Sequence, residues 1–285
     1  MVCVLRSLQH RLNRRSLEIL YFSFIRPILE YGNIVFSNCT KANDSDLENV
    51  QLAAARIVTG TRRFTSHNKI YEETGWETLA ARRNKQQLVL MYKIVNKLAP
   101  DYLYNLLPPT VQNRTRYNFR SHSKFTTFRT RTDTFGNSFF PSVIKLWNDL
   151  PVETRKSESL EEFKLKINKN RPKKNDLYYV GNRKENILIA QLRMGSSCLK
   201  ADLFKIGVVT SPVCDCGTGN EDTFHYFCEC PRYLVQRNVL QSTILPHASF
   251  TIANLLYGAQ NCQKSIKLEI YQAVIKFIQD TKRFI

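Results

Sequence analysis

The chain has 285 residues, of which 43% are hydrophobic and 23% charged, a composition typical of a folded protein with a substantial core. Its net charge of +18 favours polyanionic partners, either nucleic acid or an anionic membrane surface. No apolar run approaches the roughly 18 residues of a membrane-spanning helix, and the N-terminus has no apolar core long enough for a secretory signal peptide before its arginines begin. We therefore expect an intracellular protein of the nucleus or cytoplasm, not secreted and without a membrane partner.

Three amphipathic helices are predicted in the first third of the chain. The first kinks or ends near Pro27, the second follows the cap-competent acidic sequence NDSD (residues 43–46) and ends at Gly60, and the third stops before Pro100. Their stripes should face a helical core. The stripes are Leu17, Leu20, Tyr21, Phe24 and Ile28; Leu47, Val50, Ala54, Ile57 and Val58; and Leu88, Met91, Tyr92, Val95 and Leu98.

The middle of the chain is its most basic part. Residues 111–176 hold 15 basic and 7 acidic residues, and no acid occurs between Tyr102 and Thr132. Alternating threonine, aromatic and arginine residues predict one or two strands there. Arginine forks that grip phosphates and rings that stack on bases would make this a nucleic-acid surface. The candidates are Arg114, Arg116, Arg120, Lys124, Phe125, Arg129 and Arg131.

A second interpretation of this stretch stays open. In it, the residues form a half-buried hairpin with its aromatic rings turned inward and a solvated basic face.

Beyond the stretch we expect a short helix around Val143–Trp147, closed off by Pro151, and another opened by the capping box of Ser159 and Glu162. The polar, proline-broken sequence NKNRPKKND, residues 168–176, is the predicted linker. Four more helices are predicted after it, one of them begun by Pro231.

The sequence CDCGTGNEDTFHYFCEC, residues 214–230, holds four of the eight cysteines and one of the five histidines. Thiolate and imidazole groups bind zinc as a tetrahedron, and a short loop closes it at little entropic cost. Gly217 and Gly219 give the backbone room to turn. The predicted ligands of a structural Zn²⁺ are Cys214, Cys216, His225 and Cys230. Cys228 is a rival for the last place, and reduced core cysteines or a disulfide are the alternatives.

Catalytic chemistry is poorly represented. A filled four-ligand set leaves no position for water, which disfavours a catalytic zinc. The acids Asp44 and Asp46 are interpreted as helix caps, and Glu221 and Asp222 lie within the metal loop. Neither pair resembles a two-metal carboxylate site.

A family resemblance is carried by LYFSFIRPILEYGNIVFSN, NVQLAAARIVTG, FFPSVIKLWNDLP, SLEEFKLKI and LRMGSSCLKADLFKIGVVTSPVCDCGTGNEDTFHYFCECPRYLVQR. From about Leu17 to Arg237, these stretches resemble the C-terminal part of non-LTR retrotransposon reverse transcriptases of the jockey-like group. The most specific piece is Ser211 to Arg237. There the family's Cys-x-Cys, His, Cys element, followed by Pro and Tyr, is matched by Cys214, Cys216, His225, Cys230, Pro231 and Tyr233.

The resemblance implies an RNA-directed DNA polymerase whose C-terminal region holds template or target RNA or DNA. The family's Asp-Asp polymerase motif, with its fingers and palm, has no counterpart in this sequence. By the resemblance Met1 falls after the palm, so we expect a C-terminal fragment that does not extend a primer alone. Alternatives are a subunit completed by a separate palm-containing chain, a decayed element copy without catalytic function, and a protein-interaction scaffold.

The expected fold is mainly α. A helical, thumb-like region spans residues 1–110, and a basic region with a small β-hairpin and a helix spans residues 111–170. A linker at residues 171–176 leads to a helical region, residues 177–285, which carries the zinc-knuckle-like loop at residues 214–230.

Overall fold

The computed structural model describes residues 1–111, 124–169, 175–259 and 261–284. These residues are mainly helical, as the sequence predicts, and hold no sheet. In this part of the chain, no helix combines the length and the apolar character needed to cross a membrane. The α-helices are α1 Val2–Leu8, α2 Arg14–Leu20, α3 Arg26–Glu30, α4 Lys41–Thr59, α5 His67–Thr74, α6 Leu79–Val95, α7 Asp101–Asn105, α8 Asp133–Gly136, α9 Phe139–Asp149, α10 Val152–Arg155, α11 Leu160–Ile167, α12 Arg183–Met194, α13 Lys200–Lys205, α14 Leu234–Ile244, α15 Ile252–Tyr257 and α16 Lys264–Thr281.

The chain divides into two compact units that are not consecutive in sequence. The terminal unit comprises Met1–Ile25, Leu52–Gly75 and Lys173–Ile285, and the central unit comprises Arg26–Gln51 and Trp76–Pro172. The regions predicted from the sequence are consecutive instead. Helix α4 supplies residues to both units.

The kink predicted near Pro27 takes the form of a π-helical turn, Tyr21–Ile25, between α2 and α3. A proline has no N–H to donate to the preceding turn, and both prolines and π turns are places where helices kink. The stripe predicted for this segment is only partly buried. Leu17 and Tyr21 lie in the core, whereas Phe24 and Ile28 are more than half exposed.

The start predicted for the second helix is wrong. Helix α4 begins at Lys41, and the Thr40 hydroxyl accepts a hydrogen bond from the Asn43 amide at 3.3 Å, so the acidic residues lie inside the helix. Asp44 stands in its first turn, where a carboxylate is favourable to the helix dipole. The predicted end is confirmed. Gly60 has φ +72°, and a Cβ there would meet the Ile187 side chain at 2.3 Å.

The central unit is built around α6, α9 and α11. The rings of Tyr92 and Phe163 stack at 4.6 Å, and Trp147 packs beside Phe163 at 5.7 Å. The Tyr92 hydroxyl donates to the Ser157 carbonyl at 2.9 Å, which satisfies its buried polar atom. Of the stripe predicted for α6, Leu88, Met91 and Tyr92 are buried here and Val95 is partly buried, whereas Leu98 follows the helix and is exposed.

The predicted β-hairpin is not supported. In the described residues, its place holds an isolated antiparallel bridge between Thr110 and Phe125, flanked by the bond from the Val111 amide to the Lys124 carbonyl at 2.9 Å. Residues 112–123, where most of the predicted strands fall, lie outside the described residues.

The capping box at the start of α11 is close to the prediction. The Ser159 hydroxyl accepts from the Glu162 amide at 3.1 Å, but the Glu162 carboxylate accepts from the Glu158 amide rather than from that of Ser159.

The core of the terminal unit is aromatic and lies under α14, α15 and α16. Tyr226 is fully buried, and its ring centroid lies 4.9 to 5.4 Å from those of Phe227, Tyr233, Phe277 and Phe284. Edge-to-face aromatic pairs contribute about 0.5–1.5 kcal/mol each beyond the area that they bury. This cluster lies directly beside the Cys/His loop, since Cys214 and Cys230 belong to the same core.

A buried ionic group joins all three segments of the terminal unit. The Glu73 carboxylate accepts from Arg14 at 2.6 Å and from Arg193 at 2.5 and 2.7 Å, and all three residues are less than a tenth exposed. The Arg193 guanidinium also lies 3.9 Å from the Tyr178 ring centroid. The carboxylate and this ring offset the cost of burying two cations.

Replacing Glu73 with Ala should lower the free energy of unfolding by about 3–5 kcal/mol, because two buried guanidinium groups lose their counter-ion. Urea denaturation followed by circular dichroism measures the change. Glu72 is its exposed neighbour, so Glu72→Ala removes the same charge as a control and should change stability by less than about 0.5 kcal/mol. Equal losses in both variants would show that the buried triad does not stabilise this unit.

Candidate metal centre

The first half of the Cys/His loop is a tight turn. The Cys214 amide donates to the Gly219 carbonyl at 2.8 Å, and the Gly217 amide donates back to the Cys214 carbonyl at 2.9 Å. Gly217 has φ +77°, as its predicted role in the turn requires. Gly219 matters for space rather than for its backbone angle, because a Cβ at this position would lie 3.4 Å from His225 Nδ1. The turn places both thiols of Cys-x-Cys beside the histidine.

The second half is a single π-helical turn, His225–Glu229. It is begun by Asp222, whose carboxylate accepts from the His225 amide at 2.8 Å, and it ends where the Cys230 amide donates to the His225 carbonyl at 2.8 Å. The buried guanidinium of Arg237 holds the carbonyls of Phe227 and Cys230 at 2.8 and 2.5 Å. These bonds bring His225 and Cys230, which are five residues apart in sequence, to the same group of ligand atoms.

The four predicted ligands converge. The ligand atoms of Cys214, Cys216, His225 and Cys230 all lie within 4.8 Å of one another. Cys214 Sγ and Cys230 Sγ are 3.8 Å apart, and Cys216 Sγ lies 3.2 Å from His225 Nε2. Zn–S bonds of about 2.3 Å at tetrahedral angles put two sulfurs about 3.8 Å apart, so this donor set fits the ion. The group could therefore hold a metal ion, and its thiols are free rather than joined in a disulfide.

The thiols differ in their environments. Burial raises the pKa of Cys214 to about 12 and also raises that of Cys230. The Thr218 hydroxyl, 3.1 Å from Cys216 Sγ, lowers the pKa of Cys216 to about 6. A buried pair of protonated thiols beside an accessible thiolate favours a cation, because metal binding supplies the positive charge that lets all three sulfurs ionise.

Cys228, the rival ligand, does not take part. It packs against the aromatic core, and burial raises the pKa of its thiol. Two other cysteines, Cys198 and Cys262, also lie outside the group. Cys198 Sγ accepts from Arg62 at 2.7 Å, and Cys262 Sγ lies 3.4 Å from the His247 carbonyl.

Polar side chains around the ligands orient the loop. The Glu229 carboxylate lies 3.5 Å from His225 Nδ1, on the opposite side of the ring from the sulfurs, so Nε2 is the ligand atom. A carboxylate in this position fixes the orientation of a metal-binding imidazole. Asp215, beside Cys216, pairs with Lys200 and lies 3.5 Å from Arg232.

Glu221 ties the metal loop to the C-terminal end of the chain. Its buried carboxylate accepts from Arg283 at 2.5 and 2.6 Å and from the Lys200 amide at the start of α13 at 2.8 Å. The Arg283 bonds help to lower the Glu221 pKa against the opposing effect of burial. Sequence reasoning missed this ion pair, because 62 residues separate its partners and no local pattern relates them.

The predicted nucleic-acid residues are only partly described. Arg114, Arg116 and Arg120 fall in residues 112–123, outside the described residues. Arg129 and Arg131 are exposed, whereas Lys124 and Phe125 are half-buried. Phe125 and Phe128 pack against the central core, which favours packing over base stacking for both rings.

Comparison with known proteins gives no match. No protein-family model, no curated protein and no solved structure matches the chain.

The purified protein should contain one zinc per chain, and Cys216→Ser and His225→Ala should each lose it, because three ligands bind the ion far more weakly than four. Elemental analysis after dialysis measures the content. Cys228→Ser and Cys262→Ser serve as matched controls and should keep the metal. Zinc retained by both ligand variants would favour ordinary reduced cysteines.

Glu229→Gln should weaken zinc binding by about tenfold, because the imidazole loses the charged group that orients it. Competition with a chromophoric chelator gives the dissociation constant. Glu269→Gln removes a charge from an exposed site on α16 and should leave the constant unchanged. An unchanged constant in Glu229→Gln would mean that the carboxylate does not act on the ligand ring.

Proposed function

We propose that this chain is a nucleic-acid-binding module held together by a structural zinc, of the kind found in the C-terminal part of retrotransposon reverse transcriptases. The observation that carries the proposal is the closed Cys₃His group, whose four ligand atoms lie within 4.8 Å of one another. Four protein ligands complete a tetrahedron and leave no position for a substrate or a reacting water. Such a centre stabilises a fold.

The geometry around the group supports a structural role. The Cys214 turn and the Cys230 end of the π turn meet at the Cys₃His group, and the first residue after Cys230 begins a 3₁₀ turn, Pro231–Tyr233, that leads into α14. Metal binding at such a loop is coupled to its folding. The ion would therefore fix the start of α14 and, through Glu221 and Arg283, the end of the chain.

The charge distribution supports a polyanionic ligand. The chain carries a net charge of +18, and residues 111–176 alone contribute +8. Arginine and lysine that neutralise phosphates release condensed counterions, which provides most of the affinity in sequence-independent binding. The acid candidates for metal catalysis have structural partners instead, since Asp44 pairs with Arg83 at 2.6 Å and Asp222 caps the π turn.

The resemblance to jockey-like reverse transcriptases supports template or target RNA or DNA as that polyanion. The first candidate surface is the basic stretch from Arg114 to Arg131, without Phe125, whose ring packs against the central core. A decayed copy or a protein-interaction scaffold would share the same residues without the binding, so a binding measurement separates these functions.

Replacing Arg116, Arg120 and Arg129 together with Gln should flatten the plot of log affinity against log salt by about 2–3, since each lost phosphate contact removes about 0.7–0.9. Fluorescence anisotropy with labelled RNA and DNA measures the slope. The control variant changes Lys41, Lys156 and Lys276 to Gln, three exposed lysines, and should keep the wild-type slope. Absence of wild-type binding to either nucleic acid would overturn the proposed function itself.

A further inference from the structure

The central unit contains a basic cleft between α6 and α11, with a volume of about 450 Å³. Four cationic side chains line it. Three come from one face of α6 and the fourth from α11: Arg82, Lys85, Lys93 and Lys164. Lys85 extends to Asn168 Oδ1 at 3.1 Å, which connects the two walls of the cleft. We call this feature the α6–α11 cleft.

Two of the four cations are already neutralised. Arg82 pairs with Glu30, and Lys85 pairs with Glu77, the one carboxylate that lines the cleft among the described residues. Lys93 and Lys164 form no ion pair within this part of the chain. The cleft therefore has an excess of positive charge at these two lysines, and its single acid is held by neighbouring bases rather than facing a ligand uncompensated.

The cations follow the helix axis. Arg82 and Lys93 are eleven residues apart on α6, which corresponds to about 16 Å along the helix. A cleft of this length has room for more than one phosphate of a nucleic-acid strand, and its two cations without an ion pair among the described residues, Lys93 and Lys164, come from opposite walls. Between the cations the cleft is lined by aliphatic side chains, among them Val89, Leu90 and Ile167, against which a sugar can pack.

We propose that the α6–α11 cleft binds the sugar-phosphate backbone of single-stranded nucleic acid, with Lys93 and Lys164 as its phosphate contacts. This proposal rests on the proposed function and gives it a second site, separate from the Arg114–Arg131 stretch. A cleft of about 450 Å³ admits the backbone of a single strand, whereas two paired strands are too broad to enter it and meet only its rim. The binding is independent of sequence, because the contacts are to phosphate.

The test compares two variants of the full chain that lose the same charge. Lys93→Gln with Lys164→Gln empties the cleft of its unpaired cations, and Lys156→Gln with Lys276→Gln removes two exposed lysines elsewhere. The probe is a labelled single-stranded oligonucleotide of about 12 nucleotides. Its affinity is measured by anisotropy between about 50 and about 200 mM salt.

The cleft variant should reduce the salt slope by about 1.4, or about 0.7 for each phosphate contact of a single strand. Over this fourfold range of salt its affinity falls about sevenfold less than that of the wild type. The control variant should keep the wild-type slope. Lys93→Arg with Lys164→Arg retains both charges and should restore the slope, and a duplex of the same length should bind all variants alike.

Equal slopes for the cleft and control variants, with wild-type binding intact, would overturn the cleft while leaving the proposed function standing. A wild-type protein that binds no single strand would overturn both. Thermal melting of each variant separates an effect on binding from an effect on folding. If Lys93→Gln with Lys164→Gln has a lower melting temperature, the arginine variant tests the proposal instead. An arginine variant with the wild-type melting temperature but the flattened salt slope contradicts the proposal.

Discussion

The carboxylate of Glu73 is the constraint on which the terminal unit depends. This unit is assembled from three separated stretches of chain, and Glu73 in the second stretch binds Arg14 of the first and Arg193 of the third. An arrangement that leaves a buried charge without its partners is strongly disfavoured, so the group favours the register in which all three helices bring their charges together. Arg183 has a similar role. Its guanidinium donates to the Gln9 carbonyl and to the carbonyls of Ile57 and Val58 at the end of α4, and burial lowers its pKa to about 10.

The sequence was sufficient for features that depend on nearby residues. Apolar spacing located α6, the glycine at position 60 ended α4, and the density of cysteine and histidine identified the four converging ligands. Each of these depends on residues within about one or two turns or within a short loop.

Features that depend on distant residues were not predictable. Glu73 and Arg193 are 120 residues apart, and nothing local marks a glutamate that will be buried between two arginines. The predicted start of α4 was wrong for a different reason. Thr40 and the acidic residues after it can all cap a helix, and the choice among them is made by tertiary partners such as Arg83, which holds Asp44. The aromatic residues of the basic stretch were ambiguous, because rings that stack on bases and rings that pack inward have the same spacing.

The metal centre and the basic surfaces belong to different units. The Cys/His group lies in the terminal unit, and the α6–α11 cleft and the exposed arginines 129 and 131 lie in the central unit. The metal would therefore act on folding of its own unit, whereas nucleic-acid contacts would depend on the charge of the other.

The discontinuity of the terminal unit also bears on how the protein is made. The last residue of the central unit is Pro172, so the whole of that unit is synthesised before the third segment of the terminal unit, which begins at Lys173. Since domains fold as they emerge, the central unit can form first. Arg14 and Glu73 remain without Arg193 during this time. The first two segments of the terminal unit complete their core only after the third segment has left the exit tunnel. The nascent chain thus carries a finished unit flanked by unfinished helices, which is the interval in which chaperones would be needed.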